Sequence, residues 1–315
     1  MALGMADRSA TRLHRFAVLT ASATCVLLFL GGLVTSTGSG LAVPDWPLSF
    51  GQVFPEMVGG VLFEHGHRLA ASAVGLLTLV LAVWVVVSDT RPSIRGLAVA
   101  MLVAVILQGV LGGVTVLYKL PLAVSVTHAC LAQIFFCLSV TMAIVTGPAW
   151  GTPRRPALSF ATPVAALGAI TTVAVFCQLI LGALTRHLGA GLAIPDFPLA
   201  FGRLLPPLET TPIAVHFAHR CGALVVTMLV TALVAAVLRA EPGLRHLATL
   251  LAMLVVTQVT LAMLLLATHR AVLPTTLHLV VGAGILATSV AISLRAARLV
   301  AVRERATSLP HPVLA

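Results

Sequence analysis

Charged and aromatic side chains are scarce in this sequence. Of its 315 residues only 9% are charged and 5% are aromatic, with a single tyrosine, whereas 59% are hydrophobic. A soluble domain carries about a quarter of its residues as charges, so this composition excludes an ordinary water-soluble fold. We therefore predict a polytopic membrane protein.

Short segments of alternating polarity, the signature of a membrane β-barrel, are also missing. Only helices and closed barrels satisfy their backbone hydrogen bonds in hydrocarbon, and barrel strands cross it in about 10 residues. A transmembrane helix needs ~20 apolar residues. Eight runs approach that length, at roughly residues 16–34, 65–87, 96–117, 122–146, 160–184, 212–238, 247–267 and 274–297. The predicted fold class is therefore all-α, with eight transmembrane helices.

Cysteine is absent from the segments where a disulfide would form. All five cysteines fall within the apolar runs rather than in the loops: Cys25, Cys130, Cys137, Cys177 and Cys221. Cysteines buried in membrane helices usually act as small packing residues. We therefore expect no disulfide.

Basic residues are distributed unevenly between the two ends of the predicted helices. One end carries Arg8, Arg12, Arg15, Arg91, Arg95, Arg154, Arg155, Arg239, Arg245, Arg295, Arg298, Arg303 and Arg305. The other end carries only Lys119, Arg186, Arg203 and Arg270. Because basic connections tend to stay cytoplasmic, we predict a cell-membrane protein with both termini in the cytoplasm. The net charge of +10 then faces anionic membrane lipid and predicts no nucleic-acid partner.

One loop sequence occurs twice. GLAVPDWPLSFGQ at residues 40–52 returns as GLAIPDFPLAFGR at residues 191–203. Further residues recur at nearly the same spacing: Glu64 with His216, His67 with His219, Arg68 with Arg220, Gln108 with Gln258 and His128 with His278. We predict two parallel four-helix halves, residues 1–150 and 151–315, related by a pseudo-twofold axis along the membrane normal.

Both copies of the loop are predicted to lie on the outer side of the membrane. Five apolar side chains in the first copy would let it lie on the bundle or in the membrane interface: Leu41, Val43, Trp46, Leu48 and Phe50. The alternative is a connector that is simply rich in turns.

Four of the 11 histidines occupy equivalent places near the outer ends of predicted helices: His67, His128, His219 and His278. An ionisable group inside a membrane helix is costly unless it is paired or liganded. Two imidazoles on facing helices are the axial ligands of a six-coordinate b-type heme, whereas zinc needs three or four clustered ligands. Heme ligation is the favoured interpretation, while a proton relay, an ion site and ordinary interhelical hydrogen bonding stay open.

The matching positions Glu64 and His216 differ between the halves. Glu64 precedes His67 by three residues, so both side chains share a helix face, and the helix dipole favours a carboxylate in the first turn. Such a carboxylate suits a general base or a group that stabilises developing positive charge beside a porphyrin; a plain helix-terminal charge is the alternative. Arg68 and Arg220 are expected to contact heme propionates or loop carbonyls.

Six segments together resemble the heme A synthase family across all eight runs: GGLVTSTGSGLAVPDWPLSFGQ, EHGHR, VTHACLAQ, GALTRHLGAGLAIPDFPLAFG, HFAHR and LHLVVGAG. The resemblance implies a membrane enzyme that oxidises the methyl group of heme O to a formyl group, giving heme A for terminal cytochrome oxidases. It also implies a catalytic Glu64 and two pairs of iron ligands. His67 and His128 would bind the substrate heme, and His219 and His278 a permanent heme b.

The resemblance further implies a route through an alcohol and a hydrated aldehyde, with water as the oxygen source and Glu64 accepting a proton. Electrons would leave through the resident heme to an unknown acceptor. Heme O synthase and oxidase assembly factors are the expected partners. Asp45 and Asp196 are expected to cap turns or to orient water or a propionate. The first loop lacks the cysteine pair that some family members carry, so a mechanism that needs this pair is in doubt here.

Two functions of other classes are weighed against the enzyme. A di-heme b-type membrane electron-transfer protein usually places its hemes near opposite faces, whereas these four histidines all lie near one face. A transporter with paired halves predicts matched helix breaks at the midplane, and the apolar runs show none.

Overall fold

Eight long α-helices make up nearly all of the regular structure in this computed structural model, which describes residues 2–151 and 161–307. The helices are α1 (Ala2–Ser36), α2 (Gly60–Ser88), α3 (Pro92–Leu117), α4 (Leu122–Thr146), α5 (Ala161–His187), α6 (Thr211–Ala240), α7 (Arg245–Ala267) and α8 (Val272–Thr307). A helical turn at Pro148–Gly151 and two 3-10 turns, Ala190–Leu192 and Pro242–Leu244, complete the described chain. Each long helix contains a segment that is long and apolar enough to cross a membrane, which confirms the predicted all-α, eight-helix fold.

The first and last helices extend beyond their apolar runs. α1 begins at Ala2 rather than near residue 16, and α8 continues to Thr307 rather than ending near residue 297. The added segments are rich in alanine, leucine and arginine, which have high helix propensity. Hydropathy predicts only the part of a helix that lies in the hydrocarbon, so it misses these polar extensions.

The helices form two rings of neighbours. In the first ring α1 contacts α2 and α4, and α3 contacts α2 and α4. In the second ring α5 contacts α6 and α8, and α7 contacts α6 and α8. Consequently α2 lies across its ring from α4, and α6 across from α8. The rings meet where α8 packs on α1 and α4 and where α4 packs on α5. The pseudo-twofold relation and the boundary at residue 150 stay predictions, and Arg154 and Arg155 lie outside the described residues.

Three apolar clusters hold these rings together. The first ring is centred on fully buried side chains such as Leu81, Met101 and Met142, and the second on Leu233, Leu251 and Ile292. A smaller cluster of Leu28, Phe136, Ala283 and Ala287 lies between α1, α4 and α8. Lipid tails are as apolar as leucine, so these clusters stabilise the bundle through close packing rather than through removal from water.

The connections 37–59 and 188–210 lie at one end of the bundle, which we name the loop face. In both connections an antiparallel bridge forms, between Ser49 and Gln52 and between Ala200 and Arg203. Between the two bridged residues lies a glycine with a positive φ, Gly51 in the first connection and Gly202 in the second. The repeated sequence therefore gives the same loop conformation twice.

Two of the five apolar side chains of the first loop lie against the bundle, and contact of the others with the membrane interface stays a prediction. Val43 is completely buried, and the ring of Trp46 lies so close to Gly113 of α3 that a Cβ there would be 2.6 Å away. Leu41, Leu48 and Phe50 are exposed. Because side chains on a short turn point in several directions, only part of this apolar set can reach the helices.

Candidate functional site

His219 on α6 and His278 on α8 face each other across the second ring. Their ring centroids are 6.5 Å apart, with an angle of 66° between the ring planes. A bond from a metal to imidazole nitrogen is about 2 Å long, so two imidazoles on opposite faces of one heme iron have centroids about 6 Å apart. This histidine pair therefore fits an axial ligand set for a six-coordinate heme.

His67 on α2 and His128 on α4 hold the corresponding places in the first ring, each about two turns from the loop face. The Nδ1 atoms of His67 and His128 are buried and have no hydrogen-bond partner in the described part of the chain. The same is true of Nδ1 of His278. Buried polar atoms normally find partners, so rings with an unsatisfied nitrogen fit a role as ligands.

Glycines on neighbouring helices make room for three of the four imidazoles. A Cβ added at each glycine would approach the imidazole Cε1 to the following distances: Gly31 to His67, 2.9 Å; Gly112 to His128, 3.4 Å; Gly182 to His219, 3.1 Å. At Gly31 and Gly182 a residue without a side chain lets the ring lie this close to the helix backbone, whereas a Cβ at Gly112 would make a nearly ordinary contact. Sequence analysis missed these glycines, because a glycine in an apolar run gives no sign of what it faces.

Glutamines on an adjacent helix contact three of the four histidines, all except His67. The pairs, with the distance from the amide nitrogen to the ring nitrogen, are Gln108 and His128, 3.3 Å; Gln178 and His219, 3.0 Å; Gln258 and His278, 3.2 Å. His67 has no such contact, since Leu27 replaces Gln178 at the matching position. Sequence analysis noted the spacing of Gln108 and Gln258 without assigning a role, and it missed Gln178. An amide within an apolar helix was the available signal.

Glu64 is buried, and its carboxylate accepts two hydrogen bonds. One comes from the backbone amide of Val43 in the repeated loop, at 2.8 Å, and the other from Arg68, at 2.6 Å. The sequence places Glu64 in the first turn of α2, but the helix begins at Gly60 and no acidic residue lies in that turn. Two direct donors, rather than the helix dipole, therefore stabilise its charge.

Arg68 and Arg220 are bound to the loops. Arg68 donates to the carbonyl oxygens of Asp45 (2.8 Å), Leu48 (2.9 Å) and Val43 (3.4 Å). Arg220 donates to the carbonyl oxygens of Asp196 (2.7 Å), Ile194 (2.8 Å) and Leu199 (3.0 Å). The sequence left heme propionates and loop carbonyls open as partners of these arginines, and the observed hydrogen bonds are to loop carbonyls. Each guanidinium holds its loop against the following helix.

His216 contacts the same pair of groups as Glu64 does in the first ring. The amide of Ile194 lies 3.2 Å from Nδ1, and Nε of Arg220 lies 3.3 Å from Nε2. A neutral imidazole accepts at only one of its two nitrogens, so His216 can satisfy one donor where the Glu64 carboxylate satisfies both. The two halves share this geometry, but only the first has an anion in it.

Asp45 and Asp196 cap the turns of their own loops. Asp45 accepts from the amides of Phe50 and Gly51, each at 2.7 Å, and Asp196 accepts from Phe201 and Gly202. The pKa of Asp45 is lowered below its ordinary value, first by the hydrogen bond from the amide of Gly51 and then by that from the amide of Phe50. The pKa of Asp196 is lowered in the same way, first by Gly202 and then by Phe201.

Ser49 and His65 form a buried polar pair in the first half that has no counterpart at the matching positions of the second. The Oγ of Ser49 lies 2.8 Å from Nδ1 of His65, and both residues are buried. The matching positions in the second half are Ala200 and Phe217. Sequence analysis did not single out either residue. Comparing the two repeats position by position would have found them.

Other donor groups are dispersed in the described ranges, where no three His, Cys, Asp or Glu side chains come together as a metal site. All five cysteines lie in described helices with free thiols. Within these ranges the candidate ligands therefore come as two pairs of histidines rather than as a tight cluster.

Comparison with known proteins shows the family of this chain. The family model COX15-CtaA, described as cytochrome oxidase assembly protein, matches residues 56–290. The chain is 36% identical to the heme A synthase of Symbiobacterium thermophilum over 226 residues, 68% of this chain and 72% of that protein. It is 32% identical to the heme A synthase of Halalkalibacterium halodurans, over 70% of this chain and 74% of the relative. The chain therefore belongs to the COX15-CtaA family of cytochrome oxidase assembly proteins, the family of the heme A synthases.

Proposed function

We propose that this protein oxidises the methyl group of heme O to the formyl group of heme A. The observation that carries the proposal is the arrangement of paired histidines across each ring, with a buried carboxylate beside only one pair. Membership of the family supports the same reaction. The oxygen of the formyl group comes from water, and the electrons and protons removed from the methyl carbon leave separately.

The two rings bind different hemes in this proposal. His219 and His278 hold a resident heme b, whose iron supplies one-electron redox chemistry when bound. His67 and His128 bind the substrate, heme O, in the first ring. The 6.5 Å spacing of His219 and His278 supports the resident site, because a permanent cofactor benefits from ligands that are already in place.

Glu64 takes the proton that leaves during the oxidation. It lies three residues before His67, so its carboxylate and that imidazole share one face of α2. Arg68 and the amide of Val43 hold the carboxylate in place, and the loop covers it. The second ring has His216 at this position and therefore lacks an anionic base.

The loop face is the outer face of the cell membrane in this proposal, with both termini in the cytoplasm. The uneven distribution of arginine supports this orientation. All four ligand histidines lie within about two turns of the loop face, so both porphyrins lie towards the outside. Heme O synthase would supply the substrate, oxidase assembly factors would receive the product, and an acceptor outside this chain would take the electrons.

The test is to express the protein with a source of heme O and to analyse the extracted hemes. Wild-type protein should yield heme A, whereas Glu64→Ala should not. His278→Ala should lose the low-spin b-type absorbance spectrum of the purified protein. Heme A at wild-type yield from Glu64→Ala would exclude the catalytic role, and a normal spectrum from His278→Ala would exclude the resident site.

A further inference from the structure

Arg186 of α5 is a half-buried arginine held between three helices. Its Nη2 donates to the carbonyl of Gly32 at 2.7 Å and to Oγ of Ser36 at 2.8 Å, both on α1. The same Ser36 hydroxyl accepts from Oγ1 of Thr276 on α8, at 2.9 Å. Both recorded bonds of Arg186 use Nη2, while Nε is buried without a partner among the described residues.

Arg186 lies directly beside the second histidine pair. It follows Gly182 by four residues, so the two share a face of α5 one turn apart. Gly182 is the glycine against which His219 packs. Arg186 is also close enough to His278 for an electrostatic interaction. It therefore lies one turn from the imidazole pair, on the side of the loop face.

A second cation lies at the same end. Arg270, in the connection between α7 and α8, is near enough to Arg186 for the two charges to repel each other. Its side chain lies over the turn after α5, where a Cβ on Gly191 would be 3.6 Å from Cδ of Arg270. Neither arginine forms an ion pair within the described ranges. Both guanidinium groups are half-buried, and two neighbouring cations that are partly removed from water favour an anion between them.

We propose that Arg186 and Arg270 bind the two propionate carboxylates of the porphyrin that His219 and His278 hold. This inference rests on the proposed function, which places a resident heme b in the second ring. A porphyrin clamped by these imidazoles with its propionate edge towards the loop face would bring its carboxylates to the two guanidinium groups. Charge-assisted hydrogen bonds of this kind are among the strongest that a protein forms.

The first half lacks both cations. Thr35 stands at the position that matches Arg186, and Leu120 at the position that matches Arg270. Oγ1 of Thr35 donates to the carbonyl of Gly31 of its own helix. The same fold therefore holds one porphyrin by its carboxylates and the other without this anchor. The difference explains how one heme stays while the other enters as substrate and leaves as product.

The test measures retention of heme b by the purified full-length protein, as the rate of transfer to apomyoglobin. Loss of a charge-assisted hydrogen bond should speed transfer by about 10- to 100-fold in Arg186→Gln and Arg270→Gln. The matched control is Arg203→Gln, which removes an exposed arginine of the second loop and introduces the residue found at matching position 52. Wild-type rates in both arginine variants would overturn the proposal. Arg270→Gln, in a loop, keeps the test decisive if Arg186→Gln fails to fold.

A second probe tests the carboxylates directly. Wild-type protein should retain heme b more tightly than its dimethyl ester, in which both propionates are blocked. This difference should shrink in Arg186→Gln and nearly disappear in the double variant Arg186→Gln with Arg270→Gln. Equal retention by the wild type would contradict the assignment. These measurements need no heme O, so their failure is distinct from failure of the proposed function, in which heme b is retained but heme A is never formed.

Discussion

The carboxylate of Glu64 lies 2.6 Å from the guanidinium of Arg68, one turn further along α2. Arg68 in turn holds the loop that covers Glu64. The proposed base and the loop above it are therefore parts of one hydrogen-bonded unit. Removing the carboxylate also leaves Arg68 without its ion-pair partner, so a variant that keeps the shape of the side chain is the sharper test of catalysis.

Glu64→Gln should lower the formation of heme A by about 10²- to 10⁴-fold, the usual contribution of a general base. The amide oxygen can still accept from the amide of Val43, so the loop keeps one of its anchors. The measurement is the ratio of heme A to heme O in extracts. His216→Gln, at the matching position of the second ring, is the control and should keep its activity. Equal losses in the two variants would mean that the position acts on loop structure alone.

Gly31→Ala should weaken the first histidine site, and Gly182→Ala the second. In each case the new methyl group would lie about 3 Å from the imidazole of His67 or His219, which is too close for a normal contact. Binding of heme O should fall in the first variant, and heme b content in the second, both followed by absorbance. Gly109→Ala is the control, because nothing lies within 4 Å of a Cβ there. Full occupancy of both sites would show that these histidines move freely.

Ser49→Ala should lower the free energy of unfolding by about 1–3 kcal/mol, because it leaves the buried Nδ1 of His65 without a partner. The double variant Ser49→Ala with His65→Phe introduces the pair found in the second half and should recover part of this loss. Thermal unfolding in detergent measures both effects, with Ser88→Ala on the exposed end of α2 as the control. The single variant His65→Phe completes the comparison. If the effects of the two single substitutions add up to that of the double variant, the hydrogen bond contributes nothing.

Asp45 should make the first loop sensitive to acid. Its pKa is lowered in the folded protein by the amides of Gly51 and Phe50, so its ionised form stabilises the loop. That contribution is complete above the ordinary pKa of 3.8 and is lost as the pH falls through the lower pKa of the folded state. Hydrogen exchange at Phe50 and Gly51 should be slow at neutral pH in the wild type and fast in Asp45→Ala. Equal protection in both proteins at pH 7 would contradict the capping role.

The helices could be predicted because the membrane imposes one simple rule on the sequence. Every segment that crosses hydrocarbon must be long and apolar, so the eight runs stand out without any tertiary information. The polar extensions of α1 and α8 obey no such rule, and their bounds came only from the structure. The repeated loop was equally visible, since two nearly identical segments such as residues 40–52 and 191–203 must meet the same local constraints.

The ionisable residues of the candidate site could be predicted from the sequence, whereas the glycines and Gln178 that surround them were missed. His67, His128, His219 and His278 are costly in a membrane, so their chemistry alone marks them. Gly182 gives no such sign, and the amide of Gln178 gives a weaker one, because the role of each depends on which imidazole it meets across a helix interface.

The class of fold, the number of helices and the choice of four candidate histidines follow from composition and solvation, which act on each segment separately. Only the packing of the helices shows which histidines face each other, that Arg68 and Arg220 bind their loops, and that Arg186 lies half-buried beside the second pair with no ion-pair partner among the described residues. Those relationships depend on the distances between helices, and helix packing sets these distances through many small contacts that no single segment encodes.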